Sequence, residues 1–366
     1  MKIKSNFHTR LCLRNPRPIL RRIGKGMIIS MKNINSNKLI KIIQFISLGV
    51  FLVCAIYLGY ELILRPYLSQ KAVTEARNLY NTSKEEVAAT KEPESTEAPK
   101  DTLQETSKAD MSEDSLYDSM GRLKEFSGLL SVNEDVKGWI TIDGTNIDYP
   151  VLQSGKDDPE YYLHKNLDRK TDKAGSIFLD INSSVEENTQ NMLIYGHNMK
   201  STDNMFHYLI KYNDLAYYRK HPVITFDTLY HKGQWKIISI FKADANINDD
   251  FFDFTRTRFE SDTDFLEYVY QLRIRSIYNI PVDMNEKDQI ITLVTCSYEL
   301  DNYRTVIVAR KIRDGENSAV AADKAAVNPS ILYPASWYAN YGGTAPKTSS
   351  VKEALEAGQI DWYIKP

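Results

Sequence analysis

Cys296 is a residue whose type could supply a nucleophile. The chain carries three cysteines: Cys12 in a basic N-terminal stretch, Cys54 inside a long apolar run, and Cys296 alone in the part of the sequence that can fold as a domain. An unpaired cysteine of this kind is either a small core residue or a working thiol. Its setting distinguishes it. The run Ile290-Ile291-Thr292-Leu293-Val294 reads as a buried strand, and Cys296 falls where that strand gives way to the polar residues 297–302. His197 stands in a comparable place, after the apolar run 192–195 and Gly196. An imidazole beside a thiol can hold the ion pair that makes sulfur nucleophilic and then protonate a departing amine. Arg304 opens the next apolar run, so a hairpin would return its guanidinium toward the sulfur, where it could donate to an acyl oxygen gaining negative charge. The other histidines of that part of the sequence, His164, His207, His221 and His231, lack such a setting and are expected at the surface or partly buried.

Two strand ends must therefore converge, and the sequence supplies the strands. Apolar or alternating runs occur at residues 138–142, 146–151, 176–180, 192–195, 223–227, 235–241, 290–294 and 305–312, which predicts a mainly β domain with about eight strands in a barrel or sandwich. Asp143-Gly144 marks a hairpin between the first two, and Pro150 suits an edge or bulged position. Apolar positions Leu116, Met120, Leu123, Phe126, Leu129 and Leu130 predict a helix from near Asp114 that opens the domain. Ser261 can cap a long helix carrying Phe265, Leu266, Val269, Tyr270 and Leu272, placed between the sixth and seventh strands.

Around that domain, at 114–313, lie attachments. Residues 1–41 contain eleven Lys and Arg and no Asp or Glu, although the whole chain has a net charge of −2. Residues 42–60 are apolar apart from Gln44 and Ser47, and the run continues to Leu64, long enough to cross a bilayer. A transmembrane helix at 42–64 with a basic cytoplasmic arm is expected to export the remainder, and no small-residue cleavage site follows it. Either Met1 or Met31 could begin the chain. Residues 65–113 are expected to form an extracytoplasmic stalk, because 82–112 in particular have too few large apolar side chains to offset chain entropy. Residues 314–366 are read as a C-terminal extension, a polar linker with a short helix at 351–357 whose aromatics could rest on the domain. No basic stripe interleaved with aromatics occurs in the folded part, which argues against nucleic-acid binding.

Thr292-Leu293-Val294-Thr295-Cys296 with Arg304 downstream resembles the TLxTC and Arg signature of sortases, and Tyr195-Gly196-His197-Asn198-Met199 resembles their histidine motif. The similarity extends over residues 115–313, including Gly138-Trp139-Ile140, Ile147-Asp148-Tyr149-Pro150-Val151 and Gly175-Ser176-Ile177-Phe178-Leu179-Asp180. The opening helix and the long helix before the cysteine strand look like class B rather than class A. The resemblance implies an eight-stranded sortase-type β-barrel and a membrane-anchored cysteine transpeptidase. Its partners would be surface proteins ending in an NPxTN-like sorting signal, cleaved after Thr, and an acceptor amine on a peptidoglycan precursor or a pilin. It implies Cys296 as nucleophile, His197 as acid and base, and Arg304 as clamp. Tyr195, Asn198, Thr295, Ser297 and Tyr298, which flank them, are expected to contact substrate. No cofactor or metal is expected, although a lone carboxylate such as Asp180 is present. Two rivals remain at this point. A cysteine endopeptidase would use water in place of the amine, and a wall-binding module would leave Cys296 as core.

Overall fold

The computed structural model describes residues 36–89, 116–200, 202–247 and 251–366. These fall into two compact units that divide between Lys71 and Ala72. In the first, helix α1 spans Ser36–Gly59 and continues through one π turn, Tyr60–Leu64, into the start of α2, Arg65–Ala89, whose residues from Ala72 onward belong to the second unit. This helical stretch is long and apolar enough to cross a membrane, and its most apolar part is exposed. The basic arm before Ser36, with Cys12, lies outside the described residues.

The second unit is built on a closed barrel. Its strands are β1 Val136–Thr141, β2 Asp148–Leu152, β3 Ile177–Leu179, β4 Asn191–Tyr195, the short hairpin β5 Asn198–Met199 and β6 Asn204–Met205, then β7 Val223–Thr228 and β8 Gln234–Asp244. They are followed by β9 Tyr278–Asn279, β10 Ile290–Cys296, β11 Tyr303–Lys311 and β12 Ala326–Val327. The barrel closes in the order β1, β2, β3, β4, β10, β11, β8, β7, so all eight predicted strands are its staves. Two pairs, β2 with β3 and β4 with β10, are parallel, and the rest are antiparallel. The Asp143-Gly144 hairpin is present, with Gly144 at φ 73° and Thr145 N–H donating to the Ile142 carbonyl. Pro150 is in register with Trp139 of β1, while β3 pairs only with Val151 and Leu152, so the ladder does not need the N–H that proline lacks.

The remaining helices are α3 Ser127–Val132, α4 Leu215–Lys220, α5 Asp262–Arg275, α6 Ala335–Tyr341 and α7 Val351–Glu356. Ser261 caps α5 by accepting from Asp264 N–H, Asp262 and Asp264 occupy its first turn, and Arg273 and Arg275 its last, each complementing the helix dipole. Phe265, Tyr268, Val269 and Leu272 bury its apolar face.

Two expectations are corrected here, and a third is filled out. The expected start of the opening helix near Asp114 lies outside the described residues, and the described residues that follow it are not helical as far as Leu123. Residues 116–123 form a turn in which the Asp118 carboxylate accepts from the Met120 and Arg122 N–H groups and Gly121 takes φ 72°, so helical structure starts only at the single turn Lys124–Phe126. Local side-chain bonding has outcompeted the helix there. The stalk is not featureless from residue 65 onward: α2 runs to Ala89, and its Ala76 and Tyr80 are buried. Tyr80 stacks on Trp139 at 4.5 Å with an interplanar angle of 6° and donates to Glu125 at 3.1 Å. Arg77 forms an ion pair with Asp148 at 2.8 Å. Residues 90–115 of the stalk lie outside the described residues. The C-terminal extension, finally, carries the expected short helix, and its aromatic Trp362 rests on the domain. β12 pairs with β9, Val351 and Ala354 of α7 bury against Tyr270 of α5, and Trp362 lies under the Arg273 guanidinium at 5.4 Å.

Candidate active site

The parallel β4–β10 pair positions the candidate thiol and imidazole. Tyr195 is the register partner of Val294, Gly196 N–H donates to the Val294 carbonyl at 3.2 Å, and the Thr295 hydroxyl donates to the Gly196 carbonyl at 2.8 Å. The pairing therefore outlasts β4, and His197 and Cys296 each stand two residues beyond the partnered positions. Because side chains alternate along a strand, both belong to the same face of adjoining strand ends. On the other side of β10, Cys296 is the antiparallel partner of Arg304, so that side chain too is on the same face of the neighbouring strand. Histidine, cysteine and arginine thus occupy adjoining positions across three consecutive strands.

All three are buried: His197 is 7% exposed, Cys296 3% and Arg304 1%. The His197 Nε2–H donates to the Leu163 carbonyl at 2.9 Å, which is the only polarity a carbonyl permits and leaves Nδ1 as the nitrogen able to accept. Burial draws the His197 pKa below the ordinary histidine value, the Leu163 carbonyl opposes that shift by favouring the charged ring, and His164, stacked at 6.1 Å, adds to it. Leu163 ends the turn Tyr161–Leu163 in the connection from β2 to β3. That turn can settle where it does because Gly175, at φ 59°, passes directly beneath it; a Cβ there would lie 2.4 Å from the Leu163 oxygen. Gly196 is also required by close approach, since its Cβ would meet Ile177 Cδ1 at 2.4 Å and the Phe206 ring at 2.8 Å. The Arg304 guanidinium donates to the Tyr303 carbonyl at 3.0 Å, which fixes the root of its fork.

The five flanking residues divide by exposure. Tyr195 is 1% exposed in the core, with its hydroxyl 3.4 Å from Asp180 Oδ2, and Thr295 is fully buried, so both serve as framework for the strand ends. Asn198 is buried and donates from Nδ2 to the Cys296 carbonyl at 2.9 Å. Ser297 is buried beside Lys242 and Glu299. Tyr298 is 54% exposed and donates to the Asn198 carbonyl at 3.1 Å, so of the five it presents its ring to solvent.

Sequence reasoning missed three supporting residues. Leu163 carried no readable signal, because it acts across a contact set by the fold. Buried Lys242 and half-buried Glu299 form an ion pair at 2.7 Å that ties β8 to the β10–β11 loop, with Lys242 also donating to Thr305 at 2.9 Å and to Ser297 at 3.2 Å. Burial draws the Lys242 pKa down while the Glu299 carboxylate opposes it. A lysine at the end of the apolar run 235–241 was the available signal for it.

A buried cysteine with a histidine and an arginine at adjoining strand positions, at one end of a closed barrel, is an arrangement that suits acyl transfer by a cysteine enzyme. Comparison with known proteins identifies which. The family model of the sortase domain matches residues 140–312. Sortase B of Staphylococcus aureus (strain NCTC 8325 / PS 47) is 35% identical over 191 residues, covering 52% of this chain and 75% of the relative. Sortase B of Listeria monocytogenes serovar 1/2a (strain ATCC BAA-679 / EGD-e) is 37% identical over 177 residues, covering 48% and 69%. A crystal structure of sortase B from Bacillus anthracis superposes with a TM-score of 0.52 at 28% identity, covering 68% of this chain and 98% of that one. The chain belongs to the sortase family and is a class B sortase, a cysteine transpeptidase. The family joins substrate proteins bearing sorting signals to amine acceptors.

Proposed function

We propose that this sortase is membrane-tethered, that it cleaves an NPxTN-like signal after Thr, and that it passes the protein to an amine on a peptidoglycan precursor or a pilin. The observation that carries the catalytic assignment is the strand register, which aligns Cys296 with Arg304 and sets His197 at the matching position beyond β4. In this reading the Cys296 thiol gives its proton to His197 Nδ1 and the sulfur attacks the Thr carbonyl carbon. The tetrahedral oxygen gains negative charge and accepts from the Arg304 guanidinium, whose charge is worth more in a buried site than in water. The C–N bond then breaks, His197 returns the proton to the departing amine, and a thioester remains. An incoming amine repeats the steps in reverse order, and the thiol is restored. Leu163 holds the ring in the tautomer this cycle needs.

Lys38 and Lys41, in the first turns of α1 ahead of its apolar run, support a cytoplasmic N-terminus, with the barrel outside the membrane. The test is a quenched NPxTN-like peptide, with and without an added amine, on the full chain in detergent micelles. Amine-dependent product formation that is lost in Cys296→Ala and His197→Ala supports the assignment. Hydrolysis that ignores the amine points instead to a peptidase, and turnover surviving Cys296→Ala removes the thiol from the mechanism.

A further inference from the structure

A second histidine is wired to the backbone of Cys296. His207 follows β6 and opens the turn His207–Asn213. Its Nδ1 lies 2.7 Å from Asn198 Oδ1 and its Nε2 lies 3.1 Å from Asp203 Oδ1. The orientation of Asn198 is forced, because its Nδ2 donates at 2.9 Å to the Cys296 carbonyl, which can only accept. The amide oxygen must therefore face His207, and it too can only accept. The Asp203 carboxylate is an acceptor as well. Two acceptors thus confront two ring nitrogens, whereas a neutral imidazole carries a single N–H. Only the imidazolium satisfies both contacts.

We propose that His207 is a positioning residue for the nucleophile: as an imidazolium it joins Asp203 to Asn198, and Asn198 holds the Cys296 backbone in line with His197. This inference rests on the catalytic reading of Cys296. When the ring loses a proton, Asp203 and Asn198 compete for the one that remains. The carboxylate is the stronger acceptor, so Asn198 loses its donor and its amide can turn away from Cys296. Asp203 favours the charged ring, while Lys200 of the β5–β6 hairpin and Lys211 of the same turn oppose it. From the β10–β11 loop, Tyr298 donates to the Asn198 carbonyl and lies under Lys200 at 3.5 Å. Burial is the largest influence and draws the ring below the ordinary histidine value. The complete chain of bonds is accordingly present at mildly acidic pH and is lost as pH rises through the depressed ring pKa toward neutrality.

Asp203→Asn tests this directly. Asparagine tolerates the left-handed backbone at this position, φ 54°, and no longer competes as a carboxylate. The ratio of kcat/KM for Asp203→Asn over the unsubstituted chain should be near one at about pH 5 and rise to about 3- to 10-fold at about pH 8, carried by kcat, because restoring thiol alignment acts on the chemical step. His207→Gln, whose amide N–H can serve Asn198 at any pH, should flatten the profile while keeping the rate. His207→Ala should lower kcat at every pH. Nitrogen NMR of the His207 ring should show two N–H groups at acidic pH and a single one, directed at Asp203, above neutrality. A ratio that stays flat with pH, or a ring that never carries both protons, overturns the proposal. Full transfer by Cys296→Ala would instead remove the catalytic reading, and the ring spectra, which need no turnover, would still decide the bonding of His207.

Discussion

Gly175 is 22 residues from His197 in sequence, yet its replacement by alanine should disable the imidazole. A methyl group there would sit 2.4 Å from the Leu163 oxygen, 2.7 Å from the Leu163 carbonyl carbon and 2.7 Å from the Tyr162 oxygen, all of them backbone atoms that cannot rotate aside. Alanine at φ 59° adds about 1–2 kcal/mol of left-handed strain. Overpacking in a buried setting adds about 1–3 kcal/mol. The combined loss of about 2–5 kcal/mol should lower the midpoint of thermal unfolding by roughly 5–20 °C for a domain of this size. The consequence for chemistry is separate. To relieve the clash the Leu163 carbonyl must move, and the His197 Nε2–H loses its acceptor at 2.9 Å. That carbonyl favours the charged ring, so its loss should shift His197 titration further to acid. Misplacement of a reacting group by about 1 Å can cost about a hundredfold in rate, and kcat/KM should fall about 10- to 100-fold at temperatures where the variant is folded. Circular dichroism gives the fraction folded, the peptide assay gives kcat/KM, and carbon NMR of labelled histidine gives the titration. A folded Gly175→Ala with unchanged His197 titration and a rate within twofold would refute the argument that Leu163 anchors the ring.

Other outcomes follow from the same geometry. Lys242→Met should strip the β10–β11 loop of its buried anchor and leave Glu299 without its cation, so hydrogen exchange at residues 297–302 should accelerate; adding Glu299→Gln should recover part of the loss, and an unchanged exchange pattern would contradict the anchoring role. Ser336 of α6 donates to Asp244 at 2.6 Å and bonds the Tyr303 hydroxyl at 2.6 Å, while Tyr341 donates to the Glu299 carbonyl at 2.9 Å. Ser336→Ala and Tyr341→Phe should each cost about 1 kcal/mol, read as a lower thermal midpoint. The Glu316 carboxyl is held well below the usual carboxylate range, first by hydrogen bonds from Arg310 and then by Lys236. A carboxylate depressed in this way contributes stability above its unfolded pKa and loses it as pH falls through the folded value. Glu316→Gln should therefore be less stable than the unsubstituted chain at neutral pH, and the difference should shrink in strong acid; a constant difference across pH would count against the ion network.

The sequence by itself determined the eight barrel strands, the capped helix behind Ser261 and the apolar helix near the N-terminus, because each depends on local periodicity, turn residues and length. It also marked Cys296, His197 and Arg304, since family motifs and strand-end positions are written in contiguous residues. The turn at residues 116–123 defeated that reading although its cause, the Asp118 side chain, is local; the apolar spacing was compatible with a helix, and the competing bonds were not visible as periodicity. What only the tertiary structure decided lies in contacts between residues far apart in the chain. Tyr80 reaches Trp139, Leu163 reaches His197, Lys242 reaches Glu299, and the extension after residue 313 returns to β8, α5 and the β10–β11 loop. No periodicity encodes such pairs. Barrel closure chooses them, by bringing particular strand ends and turns within hydrogen-bonding distance and excluding water from the groups that meet there.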